Sequence, residues 1–194
     1  HMGVTAENVA TKFQVTRNEQ DKFALTSQEK AIEAQKKNKF KEEIVNVKIK
    51  FKNTEIDFNK DEHPRQEISI DSLKRLKPVF QKDGTVTAGN ASGINDGAAA
   101  VTLMSGEEAE KRGLKKLVSI KSWASCGVDP ALMGTGPIPA SKKALELAGW
   151  SIKDLDLLEV NEAFAAQSIA VLKTLGIPEE KVNVNGGAIA LGHP

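Results

Sequence analysis

The sequence predicts an α/β fold, on three observations. From residue 98 onward, apolar runs of strand length alternate with helix-patterned segments, as in a sheet whose faces are covered by helices. Residues 44–58 change to period two, the mark of a hairpin rather than simple α/β winding. The helical segments of the second half stop on Gly113, Gly149 and Gly176, the residue that ends helices most readily.

Residues 5–38 read as helical. Thr5 is placed to cap a short helix carrying Val9 and Phe13. Thr16 and Glu19 have capping-box spacing, and the helix they open runs to about Lys37 with Phe23, Ala24, Ala31 and Ala34 as its apolar stripe. The basic cluster at 36–41 suits a solvated helix end. Val45, Val47, Ile49 and Phe51 alternate with Asn46, Lys48 and Lys50, which predicts a half-buried strand. Asn53-Thr54 turns the chain, and Ile56 and Phe58 return it. A polar, extended stretch around Pro64 follows, then a short basic helix at 72–77 closed by Pro78.

Residues 83–97 are rich in glycine and other small residues. Close approach to a thin ligand and a tight connection between layers both explain them. Their spacing fits neither a phosphate-binding loop, nor a dinucleotide fingerprint, nor a Gly-x-Ser-x-Gly elbow. Beyond them, 98–104 predicts a buried strand, and Ser105 with Glu108 opens a helix ending at Gly113. A strand is predicted at 117–125, a helix at 140–148, a strand at 155–160, a helix at 162–175, and the start of a last strand at 182–184.

Composition narrows the function. The chain has 194 residues, enough for one large domain or parts of two. A net charge of +1 argues against broad nucleic-acid binding. No apolar run is long enough to span a membrane, and the start has no signal-peptide pattern. The lone Cys126 has no partner for an intrachain disulfide, which fits a reducing, cytoplasmic compartment. Three histidines and no Cys/His cluster argue against a metal site.

The chemistry concentrates at 183–194, Asn-Val-Asn-Gly-Gly-Ala-Ile-Ala-Leu-Gly-His-Pro. His193 lies between Gly192 and Pro194, so it belongs to a turn; it is either a surface-loop histidine or a ring presented to a pocket. Asn161 ends the strand predicted at 155–160. There it is either an ordinary helix cap or a ligand-facing amide beyond a strand's carboxyl end. Glu162 is expected in the first helical turn, where its charge suits the dipole. Polar residues closing successive strands can converge, which favours a functional role for both Asn161 and His193.

Asn161-Glu162-Ala163-Phe164-Ala165, followed by Asn183 and Gly186-Gly187-Ala188-Ile189-Ala190-Leu191-Gly192-His193-Pro194, resembles the thiolases. The likeness continues in 84–93 and in His1-Met2-Gly3-Val4-Thr5-Ala6-Glu7-Asn8, and so covers essentially the whole chain. His1-Met2, which alone would read as an expression scar, is native sequence on this resemblance. Within the family, His1-Met2-Gly3 and Met133-Gly134 point to the acetyl-CoA acetyltransferase branch.

The resemblance implies a layered α/β/α fold with a loop-domain hairpin and helices. Residues 1–94 would be part of a coenzyme-A-covering loop domain. Residues 95–115 would help complete an N-terminal domain, and 116–194 would be most of a C-terminal one. It implies the reversible Claisen condensation of two acetyl-CoA to acetoacetyl-CoA and free CoA, with coenzyme A as substrate and no tightly bound cofactor. His193 and Asn161 would be catalytic: the ring donates to the thioester oxygen as enolate charge develops, and the amide holds the water that is the second donor. Arg65 would flank the adenine and Ser72 the nucleotide end. Ala88 and Ser92 would meet the pantetheine arm, with Leu76 and Phe80 along its tunnel. Met2, Met133 and Phe164 would shape the acyl pocket. His63 stands where the family often has an aromatic residue.

The two cysteines of the reaction would lie before and after these residues. Cys126 matches neither motif and is expected to be a small apolar side chain at a strand end. The chain alone is therefore expected to be inactive, its partners being the remaining N- and C-terminal thiolase segments. A homo-oligomer, dimer or tetramer, and a role in fatty-acid and ketone metabolism are implied as well. The alternatives are a degradative 3-ketoacyl-CoA thiolase and, of another class, a non-catalytic CoA-binding module.

Overall fold

A computed structural model describes residues 1–194. Its centre is a helix built to be approached closely. Helix α1 (Met2–Lys12) leads into α2 (Arg17–Lys36). The capping box is formed: Thr16 N–H donates to Glu19 at 2.7 Å, and Glu19 N–H donates to the Thr16 hydroxyl at 3.3 Å. The buried face of α2 is mostly small or polar, with Ala24, Ser27, Gln28 and Ala31. Ala31 lets Gly186 (φ +87°) cross so closely that a β-carbon there would lie 2.8 Å from the Ala31 backbone nitrogen.

Three small apolar clusters surround α2, and Phe23 touches each of them. Val9 and Val15 meet Ile169 and Ala170 of α6 (Ala165–Leu175). Ala24 meets Leu73 of α3 (Ile70–Lys74), Ala165, and Ile189 of α7 (Ala188–Leu191). Leu172, Ile177 and Val182 form the third. The two ends of the chain thus share one core. Helices α4 (Gly106–Lys111) and α5 (Pro137–Ala148) lie between them in sequence.

Local signals fare well. Ser105 caps α4, and Gly149 and Gly176 close α5 and α6 in left-handed conformation. The first cap differs from expectation. Helix α1 starts at Met2, and His1, not Thr5, caps it through Nδ1, which accepts from Gly3 N–H at 3.1 Å. The basic helix lies at Ile70–Lys74, opened by a Ser69–Ser72 capping box.

The strands differ more. Strands β1 (Val47–Phe51) and β2 (Thr54–Phe58) pair antiparallel as predicted. Val47↔Phe58, Ile49↔Ile56 and Phe51↔Thr54 share one face, and Lys48↔Asp57 and Lys50↔Glu55 the other. The apolar face is not half-buried but largely open, with Phe51 57% exposed. The segments 98–104 and 117–125 form no ladder, and Val101, Leu117 and Trp123 are each at least 80% exposed. For 155–160 and 182–184 only a parallel bridge, Leu158↔Val182, is made. These runs have strand composition, but a ladder needs a partner strand, and the 194 residues supply none at 98–125. Cys126 is accordingly exposed rather than tucked into a strand end. No helix is long and apolar enough to cross a membrane.

One surface pair ties α2 to α6. The Lys173 ammonium, 2.5 Å from Glu19, together with the Thr16 N–H and hydroxyl, holds the Glu19 carboxyl down at about 2, against 4.5 ordinarily. A carboxyl depressed on folding contributes stability above its unfolded value, and that contribution is lost as pH falls from 4.5 toward 2. Solvent exposure keeps it modest. Lys173→Met is expected to raise the Glu19 midpoint in a carboxyl NMR titration. An unmoved midpoint would assign the depression to Thr16 alone.

Candidate active site

Asn161 and His193 are brought together by two segments that run side by side and are locked at their ends. Leu158 N–H donates to Lys181 C=O, and Asn183 N–H to Leu158 C=O, both at 2.9 Å. Asn183, at φ +44°, then extends the pairing with its side chain: Oδ1 accepts from Val160 N–H and Nδ2 donates to Val160 C=O, each at 2.8 Å. This delivers Asn161 at the end of the first segment. Its C=O accepts from Gln167 Nε2 at 3.2 Å. Helix α6 begins only at Ala165, with Phe164 at its cap position, so Asn161 is not the helix cap.

The second segment passes through Gly186, Gly187 and α7 to Gly192 (φ +105°). His193 then pairs in parallel with Ile94. Its N–H donates to Asn95 Oδ1 at 3.1 Å, and Asn95 N–H donates to His193 C=O at 3.4 Å. A side chain at Gly192 would collide with Asn95, 2.6 Å from the added carbon. Asn161 Nδ2 and His193 Nε2 end 3.3 Å apart, both side chains open to solvent. An amide offers a donor and an acceptor, so the contact is satisfied with the ring proton on either nitrogen. Beside the pair lies an open cleft of about 330 Å³ lined by Val160, Asn161, Gly187 and Gly192; an oxygen gaining charge there can take the ring's Nε2–H only in place of the Asn161 contact, which frees the amide to donate as well.

Glu162 is placed otherwise than expected. It is not in a first helical turn but 2% exposed, with its carboxylate turned inward. Burial first, and the Glu162 charge second, push the neighbouring Glu159 carboxyl upward.

The small-residue stretch is held by buried acids. The Glu7 carboxylate, 3% exposed, accepts from Thr85 N–H and Val86 N–H at 2.8 Å and from the Thr85 hydroxyl at 2.9 Å. Asn90 bonds Thr87 N–H at 2.8 Å and the Asp21 carboxylate at 3.0 Å. Asp21 is paired with Arg17 at 2.8 Å. Beyond this turn, Ser92 N–H and hydroxyl both donate to Ala163 C=O at 3.0 Å, and Ala91 bridges Phe164. Ala88 and Arg65 line a cavity of about 40 Å³ with His63, Gly93 and Ile189. Gly89 serves packing: a β-carbon would lie 2.5 Å from Leu73 and 2.6 Å from Leu76.

The remaining expected residues divide. The Phe80 ring lies tilted against His1, with centroids 4.9 Å apart, and meets Phe164 edge-on at 6.1 Å. Ser72 is engaged locally, its hydroxyl donating to Ser69 C=O at 2.7 Å. Met2 and Met133 are 61% and 48% exposed, so no closed acyl pocket surrounds them within these residues. Sequence reasoning missed Glu162, Asn95 and Glu7, whose partners lie far away in the chain.

The family model for the thiolase N-terminal domain matches residues 1–107, and that for the thiolase C-terminal domain matches 114–194. The chain is 59% identical over 194 residues to the acetyl-CoA acetyltransferase of Rhizobium meliloti (strain 1021), covering 100% of itself and 49% of that protein. The crystal structure of the Bacillus anthracis acetyl-CoA acetyltransferase superposes with a TM-score of 0.94 at 52% identity, over 100% of this chain and 49% of that one. The human mitochondrial 3-ketoacyl-CoA thiolase in complex with CoA gives 0.92 at 47%, over 100% and 48%. The chain spans about half the length of the curated relatives it matches.

Proposed function

Because the chain belongs to the thiolase family, we propose that it forms half of an acetyl-CoA C-acetyltransferase, which condenses two acetyl-CoA to acetoacetyl-CoA and CoA. The observation that carries this reading is the pair Asn161–His193, 3.3 Å apart at the ends of two locked segments. The thioester carbonyl of the nucleophilic acetyl-CoA would lie against His193 and an Asn161-held water. Loss of its α-proton puts negative charge on that oxygen, and preorganised donors stabilise this charge. The cysteine would first take an acetyl group from one acetyl-CoA, releasing CoA; the enolate carbon then attacks that acetyl carbonyl, and as the C–C bond forms the acyl C–S bond breaks and the cysteine leaves as thiolate. Proton and acyl transfer need two cysteines, and the remainder of the polypeptide would bring them, since Cys126 is exposed and outside the Asn161–His193 motifs.

Coenzyme A would run along the loop held by Glu7 and Asn90, past Ala88 and Ser92, with Leu76 and Phe80 beside it. Arg65 would flank the adenine, and Ser72, once released from its cap, the nucleotide end. Met2, Met133 and Phe164 would shape the acyl pocket after the rest of the enzyme closes over them. On this reading residues 1–94 cover the cofactor-like substrate, 95–115 complete an N-terminal domain, and 116–194 belong to the C-terminal domain. The protein would work in the cytoplasm as a homo-oligomer, dimer or tetramer.

The likeness to a 3-ketoacyl-CoA thiolase supports a second reading, degradation of longer chains. The test is thiolysis by a complete polypeptide carrying this chain, beside the 194 residues alone. Acetoacetyl-CoA is expected to be cleaved by the complete protein only. Preference for long 3-ketoacyl-CoA would favour the second reading, CoA binding without turnover a binding module. Activity of the 194 residues alone would overturn the supply of cysteines from outside. Arg65→Ala in the complete protein is expected to weaken CoA binding about 3- to 10-fold, the worth of a cation stacked on an aromatic ring. Unchanged affinity by calorimetry would remove Arg65 from the site.

A further inference from the structure

Glu162 follows Asn161 directly, yet its carboxylate turns away from the cleft and reaches three donors on three other segments. Oε2 accepts from the Ser27 hydroxyl of α2 at 2.6 Å and from Ile189 N–H of α7 at 3.1 Å. Oε1 accepts from Asn183 Nδ2 at 2.8 Å. The Ser27 oxygen accepts in turn from Gly187 N–H at 3.2 Å. Gly187 has no room to give, since a β-carbon there would lie 2.2 Å from the Glu162 carboxyl carbon. One buried carboxylate therefore fixes the backbone on both sides of the cleft: the segment that ends in Asn161, and the turn of helix that leads to His193.

We propose that Glu162 is a positioning residue for the reaction, setting the separation of Asn161 and His193 through α7. The inference rests on the oxyanion-hole reading of that pair. The need is for a carboxylate rather than for any polar group. All three partners present hydrogens to it. Asn183 cannot turn over, because its Oδ1 and Nδ2 are already matched to Val160 N–H and C=O. An amide at position 162 keeps the shape but sets its own N–H₂ against Asn183 Nδ2 in one orientation and against Ile189 N–H in the other. Either clash pushes α7 or Asn183 outward, and with it one of the two donors. A misplacement of about 1 Å at a reacting centre costs on the order of 10²-fold in rate.

The experiment measures kcat and KM for acetyl-CoA condensation in a complete polypeptide carrying this chain, as wild type, Glu162→Gln, His193→Ala and the double variant. Glu162→Gln is expected to lower kcat about 10²-fold with KM changed less than about twofold. In the His193→Ala background the same change is expected to lower kcat further by no more than about tenfold, because one of the two donors it positions is gone and the other would serve the same oxygen. A full repeat of the loss on that background, a parallel rise in KM, or wild-type kcat in Glu162→Gln would each overturn the proposal. If Glu162→Gln does not fold, Ser27→Ala takes its place, since it removes one donor and leaves the carboxylate. A kcat loss of about 3- to 10-fold, again smaller on the His193→Ala background, is then expected, and unchanged kcat would overturn the proposal. Ordinary turnover in His193→Ala alone would instead sink the oxyanion-hole reading beneath it.

Discussion

Replacing His193 with alanine in a complete polypeptide carrying this chain is expected to lower kcat by about 10²–10³-fold, the usual consequence of removing one preorganised donor from an oxyanion hole. The KM for the CoA thioester should hardly move, because on the proposed mechanism the donor would meet charge that exists only as the enolate forms. Asn161→Ala should give a similar fall, and on the proposed assignment of both to one oxygen the double variant should fall well short of the product of the two. The geometry makes the effect local: the His193 backbone is held by Asn95 and the Ile94 bridge, and removing the ring breaks only its contact with Asn161 among the hydrogen bonds. Steady-state kinetics on the folded variants decide it. A wild-type kcat in either single variant would end the assignment.

Glu7→Ala is expected to be the most destabilising substitution away from the cleft, by about 3–5 kcal/mol, because it strips the partner from two backbone N–H groups and a hydroxyl. Burial is the reason the loss is large. Val86, one of the residues whose N–H it binds, is completely inaccessible, so water does not replace the carboxylate. The loop from Thr85 to Ser92 would lose its footing on α1, and CoA affinity should fall together with stability. A urea-unfolding midpoint for the variant and for wild type measures the first, calorimetry with CoA the second. A midpoint shift that amounts, multiplied by the slope m, to less than about 1 kcal/mol would mean that the loop relaxes to find other partners.

What could be read from the sequence depended on how far apart the partners lie. Thr16 and Glu19 are three residues apart, and their capping box was legible because both halves sit in one turn. Gly149 and Gly176 marked helix ends by the conformation only glycine adopts freely. The hairpin was legible from alternation, but the openness of its apolar face was not, since burial depends on what lies opposite. The same holds for 98–104 and 117–125, whose strand composition needs a neighbour to become a ladder. At the site, the motifs that carry Asn161 and His193 stood out. The inward turn of Glu162 did not: the residues beside it suggest an ordinary first helical turn, and its partners Ser27 and Asn183 belong to other segments.

That separation also sets when the site can exist. Ser27 and Glu162 are 135 residues apart, and Ser27 and Gly187 are 160 apart. At ordinary ribosomal speeds of about 5–20 residues per second, α2 leaves the exit tunnel on the order of ten seconds before the carboxylate that its hydroxyl awaits. Over that interval Ser27 and Ala31 lack the Glu162, Gly187 and Gly186 partners that cover them in the folded protein, so this surface of α2 is expected to stay open. Nascent polypeptides stalled between these two points should therefore expose α2 to protease or to a chaperone, and release past residue 187 should withdraw it.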